Sequence, residues 1–487
     1  MFDVALPTID WLVLSPVIAV LVAGVLGLMI ETLRPKQNNN VIVGVSLVGL
    51  GVAAVLLGQQ LQLFPTETFA RMVVRDQLAT LLQLALVGVG FIALLFSEGY
   101  LREKRIAFGE FYPLVLWSTA GAMIMVSTNS LLMIFIGLEI LSISLYVLAG
   151  LSRGEEKSEE SALKYFLLGA FASGFLLYGT AFVYGATGGV HLSGIAQAWA
   201  LNEPMTRNLL SFGMGLLLVG LCFKSAFVPF HQWTPDVYQG APTNVTAFMA
   251  AGSKIAAIGV LYRLLDACLL MKDLWLPALF WIAVLTMTVG NVLAVVQKDV
   301  KRLLGYSSIA NAGYILAAIV AHAHMPATIG FSTVAFFLFN YALMTLGAFA
   351  IISLAAKDGK EGTRLADMNG LWKRAPFIAV VLIILVASLI GIPPTGGFFA
   401  KLFIFQDLMT AGLTGLAITL AVNSAISAYY YLGIIYHALV ADEGTIKTPG
   451  AKPNLGLTAA CALCAFGVLA MAIFNSPIMN ILEQQGH

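Results

Sequence analysis

The sequence predicts an all-α integral membrane protein with about fourteen transmembrane helices. Of its 487 residues, 59% are hydrophobic and only 10% are charged, whereas about a quarter of the residues in a soluble domain carry charge. The mean hydropathy is +0.90. The apolar residues also gather in runs of about twenty, the length that one helix needs to cross the hydrocarbon core. We therefore expect a single polytopic membrane domain over residues 1–487.

The predicted spans follow these apolar runs along the chain. The opening segment MFDVALPTIDWLVLS has acidic residues where a signal peptide carries basic ones, so we expect the first run to be retained. The region 374–439 divides into a span broken at Pro393-Pro394, roughly 374–409, and a further span at 413–439. The other predicted spans are 11–30, 41–58, 77–97, 112–127, 130–150, 164–186, 208–230, 243–263, 274–296, 304–322, 327–355 and 454–481.

The basic residues between the spans predict the orientation, because cytoplasmic loops are enriched in Lys and Arg. Of the 26 Lys and Arg residues, 17 fall in loops after odd-numbered spans and five in loops after even-numbered spans. This asymmetry predicts that both termini are periplasmic. The other four lie inside spans, and they are Lys164, Lys224, Lys254 and Lys401. The 17 are Arg34, Lys36, Arg102, Lys104, Arg105, Arg153, Lys157, Lys298, Lys301, Arg302, Lys357, Lys360, Arg364, Lys373, Arg374, Lys447 and Lys452.

The stretch from Leu216 to Arg263 places two of these lysines on either side of a helix break. A charged side chain at the centre of a span costs roughly 2.5–3.5 kcal/mol. A lysine stem reaches only about 6 Å, while the middle of a span lies about 15 Å from each interface. Lys254 is therefore too deep to reach the interface. Lys224 lies just before Pro229, which frees backbone groups and predicts a hydrated cavity.

Other titratable residues extend this pattern. Lys401 follows the second break at Pro394 within GIPPTGGFFAKLF, and Glu139 is the one acidic residue near the centre of a predicted span. Lys164 lies at the start of its span, where its side chain could instead reach the interface. His231 is either a relay group or a hydrogen-bonded structural histidine. Asp407 is either an exit group or part of a solvated helix end.

The chemistry that these residues indicate is proton relay. An amine that is removed from water can titrate near neutral pH, and a nearby carboxylate opposes that change. Glu139 set against a lysine of another helix could therefore load and unload it. Asp236 is interpreted more simply, as an acidic residue in the first helical turn after an N-cap at Thr234 and Pro235 at the first helical position.

Several other kinds of site are not predicted. The net charge of +1 argues against a nucleic-acid surface, and no glycine-rich phosphate loop follows a strand-like segment. Cys461 and Cys464 are expected to be small residues on a helix face, and His322 and His324 to lie in a solvated loop. We therefore expect no metal and no redox cofactor on this chain.

Three motifs resemble one family of membrane proteins. They are FKSAFVPFHQWTPDVYQGAPTNVTAFMAAGSKIAA, QKDVKRLLGYSSIANAGY and LIGIPPTGGFFAKLFIF. In this order and at this spacing they resemble the antiporter-like membrane subunits of respiratory complex I (NADH–quinone oxidoreductase), which share ancestry with Mrp-type sodium/proton antiporters. The segment WTPDVYQGAPT and a lysine at position 401 resemble the subunit N branch of this family.

The resemblance implies a fourteen-helix fold with two inverted five-helix repeats, roughly 112–263 and 274–439, in which helices seven and twelve are discontinuous. The family's carboxylate on helix five matches Glu139, and its lysines on helices six and seven match Lys164 and Lys224.

The same resemblance assigns the later members of the relay. The histidine between the central lysines matches His231, the lysine of helix eight matches Lys254, and the terminal lysine of helix twelve matches Lys401. The family role is proton translocation driven by electron transfer elsewhere in the complex. NADH, flavin, iron–sulfur clusters and quinone would then bind to other subunits, and this chain would carry no cofactor.

The implied partners are neighbouring antiporter-like subunits, the small membrane subunits towards the quinone site, and lipid of the bacterial inner membrane, with no nucleic acid. Two alternatives stay open at this point. One is an Mrp-type sodium/proton antiporter subunit. The other is a membrane scaffold whose buried charges only fix the packing of helices.

Overall fold

The computed structural model describes residues 8–33, 39–357, 360–439 and 453–485. The first seven residues lie outside this part of the chain, as do Arg34, Lys36, Lys447 and Lys452, which the sequence assigns to loops.

The described chain is almost entirely helical. Its helices are α1 (Trp11–Leu33), α2 (Asn39–Gln60), α3 (Gln77–Glu103), α4 (Phe111–Val126), α5 (Leu131–Ala149), α6 (Glu156–Thr187), α7 (Leu192–Ala200), α8 (Pro204–Ser225), α9 (Trp233–Gly240), α10 (Thr243–Phe248), α11 (Lys254–Ala267), α12 (Lys272–Val295), α13 (Val300–His324), α14 (Ser332–Ile352), α15 (Leu371–Arg374), α16 (Pro376–Ile390), α17 (Gly396–Thr410), α18 (Thr414–Leu439), α19 (Leu455–Ile473) and α20 (Asn475–Gln485).

Two short antiparallel hairpins complete the described elements. β1 (Thr66–Thr68) pairs with β2 (Val73–Arg75), and β3 (Ala356–Lys357) pairs with β4 (Lys360–Glu361). In the second hairpin Ala356 lies opposite Glu361. This register places Glu361 at the end of the hairpin that continues into the chain before α15.

The predicted all-α membrane class is confirmed. Within the described residues, twelve helical segments are long and apolar enough to cross a membrane, and α4 and α16 are shorter apolar helices. The π-helical turn Met249–Ser253 joins α10 to α11, so that 243–267 forms one continuous segment. This segment, α13 and α14 are almost wholly buried and form the centre of the bundle, whereas α1, α2 and α6 expose apolar faces.

The structure interrupts two helices at the prolines identified in the sequence. α8 ends at Ser225, where Ala226 is left-handed with φ 63°, and α9 begins only at Trp233. α16 ends at Ile390, where Gly391 has φ 90°, and α17 begins at Gly396. A left-handed residue of this kind commonly ends a helix and leaves backbone groups to be satisfied by other partners.

Side chains from other helices satisfy groups at both breaks. Val228 N donates to Thr286 Oγ1 of α12 at 3.0 Å, and Trp233 Nε1 donates to Phe223 O at 2.9 Å. At the second break Gly397 N donates to Ser388 Oγ at 2.9 Å. The breaks are therefore held in place by the surrounding bundle, as irregular backbone at membrane depth requires.

One end of the bundle collects the connections that follow odd-numbered spans. This end, which we call the basic face, includes Lys104 after α3 and Arg153 after α5. It also includes Lys298 after α12, the ninth predicted span, and Lys373 in α15, between the eleventh and twelfth spans. Contacts between its connections include Leu365 N donating to the carbonyl of Lys298 at 3.0 Å.

One of the boundaries that differ from the sequence prediction concerns a predicted relay residue. The sixth span begins at Glu156 instead of 164, because two charged turns precede its apolar part. Lys164 consequently lies inside α6, beyond its second turn, and not at the helix start.

Candidate functional site

Lys224 lies in the last turn of α8 and is buried, with 4% exposure. Its Nζ donates to Ser142 Oγ of α5 at 2.8 Å and to Tyr165 OH of α6 at 3.1 Å. The ammonium also lies 5.3 Å from the centroid of the Tyr165 ring. That ring stacks on Trp233 of α9, with centroids 4.8 Å apart. The segment beyond the first break therefore holds the aromatic partner of Lys224.

Glu139 lies one turn before Ser142 on α5, so the two side chains share a helix face. Its Oε1 is buried and has no hydrogen-bond partner among the described residues. Lys224 donates to the two hydroxyls and not to Glu139, and no ion pair joins the two residues within the described chain. The structure thus places the carboxylate beside the hydroxyl partner of Lys224, without direct contact to the lysine.

Lys254 begins α11, directly after the π-helical turn, and is 3% exposed. Its Nζ donates to the carbonyl of Ser308 at 2.5 Å and to Ser308 Oγ at 2.7 Å, both on α13. The ammonium lies 5.4 Å from the Tyr341 ring centroid, and Tyr341 OH donates to Ser308 Oγ at 2.8 Å. A π turn often marks a functional position within a helix, and here it immediately precedes the lysine.

Lys401 lies on α17 and is 7% exposed. Its Nζ donates back across the second break to the carbonyls of Leu389 and Ile390 at 3.0 and 2.8 Å. It also donates to Ser424 Oγ of α18 at 2.9 Å and lies 5.1 Å from the Tyr314 ring centroid. Since the last carbonyls of a helix have no partner within it, Lys401 stabilises the end of α16.

The three lysines share one arrangement. Each donates to a serine hydroxyl at 2.7 to 2.9 Å and faces a tyrosine ring at 5.1 to 5.4 Å. Within the described chain, no ion pair joins any of the three to a carboxylate. A hydroxyl can accept a hydrogen bond from an ammonium and can donate one to a neutral amine. We call this arrangement the Lys-Ser-Tyr unit, and it accommodates both protonation states of the lysine.

Buried polar side chains lie between the second and third units. Ser307, next to Ser308 on α13, bonds to the hydroxyl of Tyr431, whose ring lies against Tyr430 at 4.4 Å. Tyr430 OH donates to Asn291 Oδ1 at 3.0 Å.

Asn291 continues this path on α12. Its Nδ2 donates to Tyr314 OH at 3.1 Å, and the Tyr314 ring faces Lys401. We call Ser307, Tyr431, Tyr430, Asn291 and Tyr314 the polar bridge. It connects the unit of Lys254 with the unit of Lys401 through α13, α18 and α12.

In the part of the chain that the structure describes, the first break holds several buried polar atoms without a hydrogen-bond partner. They are Ser225 Oγ, His231 Nδ1 and Thr234 Oγ1. Buried polar atoms in native proteins are almost always hydrogen-bonded to protein or to water, so this break is a site for internal water. No hydrogen bond in the described chain links His231 directly to Lys224 or Lys254.

Lys164 occupies a different environment from the other three lysines. Its side chain is 41% exposed and pairs with Glu160 at 2.6 Å and with Asp236 at 2.8 Å. Asp236 also accepts from Arg302 Nη1 at 2.5 Å. Burial raises the pKa of Asp236, but hydrogen bonds from Lys164 and Arg302 outweigh it and hold that pKa below its usual value. Lys164 therefore belongs to an ion-pair cluster at the basic face.

The cap predicted around Asp236 is wrong. The N-cap of α9 is Gln232, which makes no side-chain capping bond, and the helix already includes Thr234 and Pro235. Asp236 does lie in the first turn. Its carboxylate is held by bases from α6 and α13, an arrangement between distant helices that the local pattern does not predict.

Asp407 lies in α17 on a cavity of about 400 Å³. Ser332, Thr333, Gln406 and Glu483 are among the residues that line this cavity. Its Oδ2 is buried and bonds to none of the described residues. Glu483 comes from α20, so this helix forms one wall of the cavity.

The expectation of a solvated histidine pair is wrong for His322. α13 continues to His324, and His322 is buried. Its Nδ1 bonds to the carbonyl of Ile329 at 2.5 Å and its Nε2 to Asp266 Oδ1 at 2.9 Å. His324 is exposed at the helix end.

The sequence also missed buried charges that it assigned to loops. Lys104 is 4% exposed and Lys301 is 1% exposed, and both lie within 4 Å of Glu361. Hydropathy separates lipid from water and cannot distinguish a solvated loop from one packed inside protein. Of the lysine partners, Ser142 could have been found, because it lies on the same face as Glu139.

Fold and site together define a class: a polytopic α-helical membrane protein with buried lysines beside two interrupted helices. A family profile described as "NADH:quinone oxidoreductase/Mrp antiporter, TM" matches residues 128–427. NADH-quinone oxidoreductase subunit N from Trichlorobacter lovleyi is 39% identical over 482 residues, which cover 98% of this chain and 97% of the relative.

Solved structures have the same fold as this chain. A chain of respiratory complex I from Thermus thermophilus is 34% identical with a TM-score of 0.81, and the match covers 96% of this chain and 99% of that one. A chain of the Mrp complex from Dietzia sp. is 21% identical with a TM-score of 0.81 over 98% of this chain and 96% of that one, which shows a shared fold.

The chain belongs to the NADH:quinone oxidoreductase/Mrp antiporter family of membrane proteins. The three motifs indicated a resemblance to its subunit N branch. Relatives named subunit N match this chain along nearly their whole length, which confirms that resemblance.

Proposed function

We propose that this chain is a proton-translocating, non-redox membrane subunit of a bacterial NADH–quinone oxidoreductase, placed in the inner membrane. Family membership and the subunit N relatives support this proposal. The observation that carries it is the repetition of the Lys-Ser-Tyr unit at Lys224, Lys254 and Lys401. A scaffold has no need to give three buried lysines the same hydroxyl partner, whereas a relay needs groups that serve both protonation states.

The proposed route runs parallel to the membrane. Protons load around Glu139 and Lys224 and pass His231 and internal water at the first break to reach Lys254. They then follow Ser308 and the polar bridge to Lys401.

The exit begins at Lys401. Asp407, two turns further along α17 and facing the cavity beneath α20, is the proposed exit group. Lys164 would act at the basic face through its pairs with Glu160 and Asp236.

The finer architecture belongs to the same proposal. Counting α4 and the broken pair α16–α17 with the longer spans gives fourteen crossings. The two repeats, roughly 112–263 and 274–439, would be inverted copies in which α8–α9 and α16–α17 are the discontinuous helices. Interrupted helices in two halves of a chain are typical of transporters built from inverted repeats. The basic face would then be cytoplasmic, with both termini periplasmic.

The proposed partners are neighbouring antiporter-like subunits and the small membrane subunits towards the quinone site. NADH, flavin, iron–sulfur clusters and quinone would bind to those other subunits. The chain described here would contribute the relay only.

NADH-driven proton uptake in sodium-free inverted vesicles tests the function. Vesicles that contain the chain within its complex should acidify on NADH addition, and deletion of this chain alone should abolish that acidification. Sodium-dependent proton exchange without NADH oxidation would instead identify an Mrp-type antiporter subunit.

Lys224→Ala separates the relay from a scaffold role. We expect a fully assembled complex with little pumping, because Ser142 and Tyr165 remain packed while the titrating amine is lost. A scaffold predicts that assembly and activity fall in proportion.

A further inference from the structure

A chain of four alternating charges enters the protein from the basic face. It begins at Glu155, between α5 and α6, and continues through Lys104 and Glu361 to Lys301 in the first turn of α13. We infer that this chain, centred on Glu361, is the uptake site through which cytoplasmic protons reach Lys254. The inference rests on the proposed proton-translocating function and adds a separate entrance to it.

The distances join neighbouring members of the chain. Lys104 Nζ lies 2.5 Å from Glu155 Oε1 and 3.8 Å from Glu361 Oε2. Lys301 Nζ lies 3.6 Å from the same Glu361 oxygen. One carboxylate is thus shared by two lysines.

Exposure falls sharply along the chain. The side chain of Glu155 is 42% exposed, whereas those of Lys104, Glu361 and Lys301 are 3%, 8% and 1% exposed. One titratable group therefore meets solvent and three lie inside protein. Removing charges from water to this extent is costly, and the attraction between them does not reliably offset that cost.

Hydrogen bonds fix Glu361 to the helix that leads to Lys254. Thr243, the first residue of α10, donates its hydroxyl to Glu361 Oε1. Tyr100 OH donates to Glu361 Oε2 at 3.0 Å and accepts from Thr243 N at 3.0 Å. The carboxylate consequently positions the start of the continuous segment that carries Lys254.

α13 connects Lys301 to the unit of Lys254. Lys301 and Ser308 are seven residues apart, which is two turns and about 10 Å along one face of the helix. Lys301 Nζ donates to the carbonyl of Ala241 at 2.6 Å, and Thr246 Oγ1 bonds to the same carbonyl at 3.4 Å. Within residues 8–33, 39–357, 360–439 and 453–485, Asn244 Nδ2 on α10 is buried without a hydrogen-bond partner. Thr246 Oγ1 also donates to the carbonyl of Tyr238 at 3.2 Å, and the hydroxyl of Tyr238 lies 3.5 Å from Ser308 Oγ, so polar groups of α9 and α10 connect Lys301 with Ser308.

The groups around Glu361 determine what a pH profile will report. Lys104 and Tyr100 face it from the end of α3 and Lys301 from α13, while Glu155 contacts Lys104 from the connection after α5. Asp299, the N-cap of α13, adds a further carboxylate near Lys301. In each step of uptake one proton leaves a donor and joins the next acceptor along this chain, so no other reactant is required.

Glu361→Gln in the intact complex is the principal test. It keeps the shape of the side chain and its contact with Thr243 but cannot exchange a proton. We expect NADH-driven pumping to fall at least tenfold with assembly preserved, and Glu361→Asp to restore part of it with a shifted pH profile. Glu110→Gln, an exposed acid at the start of α4, is the control and should pump normally.

Glu155→Gln covers the case in which Glu361→Gln fails to assemble, because Glu155 is half exposed and its loss leaves the buried part intact. Pumping should then fall about threefold, most strongly at high pH, where external protons are scarce. Wild-type rates and pH profiles for both Glu155→Gln and Glu361→Asp would overturn the inference.

Lys254→Met in the same membranes separates the two proposals. If that variant also pumps normally, the proposed function fails. If it alone is inactive while the variants of this charged chain are normal, only the uptake site fails.

Discussion

Ser308→Ala tests the hydroxyl that the second Lys-Ser-Tyr unit is built around. Ser308 Oγ accepts from Lys254 Nζ at 2.7 Å and from Tyr341 OH at 2.8 Å. The substitution removes both contacts but leaves the carbonyl of residue 308 as an acceptor for the lysine. It therefore changes the relay without removing the lysine.

The structure sets the expected magnitude. Hydrogen bonds to charged groups contribute about 1.5–3 kcal/mol. Because the carbonyl at 2.5 Å still holds the ammonium, the lower value applies. About 1.4 kcal/mol corresponds to a tenfold change in rate. We expect proton transfer beyond Lys254 to slow about tenfold.

The assay is the initial rate of NADH-driven acidification in inverted vesicles, normalised to assembled complex on native gels. Ser97→Ala is a matched control, since Ser97 is equally buried and its hydroxyl bonds to the carbonyl of Ala93 in its own helix. Pumping by Ser308→Ala within twofold of wild type would refute the role assigned to this hydroxyl.

Three further variants address other parts of the account. Tyr314→Phe keeps the ring facing the third lysine but removes the acceptor for Asn291, so pumping should fall about fivefold, a loss of roughly 1 kcal/mol. Asp236→Asn should lower pumping by a factor that does not change between pH 6 and pH 8. Burial raises the pKa of Asp236, but Lys164 and Arg302 outweigh it and hold that pKa below the usual value, so the carboxylate is ionised throughout this range. Asp76→Asn, which breaks the bidentate pair with Arg263, should lower the unfolding free energy by about 3 kcal/mol.

The Asp76 variant also carries a pH prediction. Burial raises the pKa of Asp76, but the charge and hydrogen bonds of Arg263 outweigh it, so the pKa in the folded protein is lowered. The stabilisation is therefore present above the unfolded value of about 4 and is lost as pH falls through the folded pKa. Thermal unfolding in detergent between pH 7 and pH 3 measures it.

Exposed positions supply the controls for these variants. Tyr178→Phe should pump normally, since that ring is 60% exposed on α6. Asp273→Asn, in the exposed first turn of α12, should leave thermal stability unchanged. Normal pumping by Tyr314→Phe, a pH-dependent defect in Asp236→Asn, or an unchanged melting temperature for Asp76→Asn would each contradict the corresponding argument.

Much of the fold could be predicted because the membrane imposes a simple rule. Runs of apolar residues mark the crossings. Lys224, Lys254 and Lys401 stood out as charged residues inside these runs, and the structure shows that all three are buried. Proline marked both breaks.

Apart from Ser142, which shares a helix face with Glu139, the partners of these lysines could not be predicted in the same way, and no local signal pairs even Ser142 with Lys224. Ser142 and Lys224 are 82 residues apart in the chain, and Lys254 and Ser308 are 54 apart. Serine and tyrosine are common in membrane helices, so only the packing of helices selects the few that contact a lysine.

Buried loops were the main failure of the sequence analysis. Lys104 follows α3 and Lys301 lies in the first turn of α13, both in polar stretches typical of solvated residues, yet both lie within 4 Å of Glu361 inside the protein. That carboxylate comes from a hairpin more than fifty residues after Lys301, and nothing local predicts the pairing. The amino-acid composition of Met249–Ser253 likewise does not predict the π-helical turn before Lys254.

The central claim is that Lys254 carries protons between the two halves of the chain. The most direct measurement is the ratio of protons pumped to NADH oxidised in vesicles with Lys254→Met, with the exposed Lys373→Met as the control. The account predicts an assembled complex that pumps little or nothing, beside a control with the wild-type ratio. A wild-type rate and ratio for Lys254→Met would contradict it.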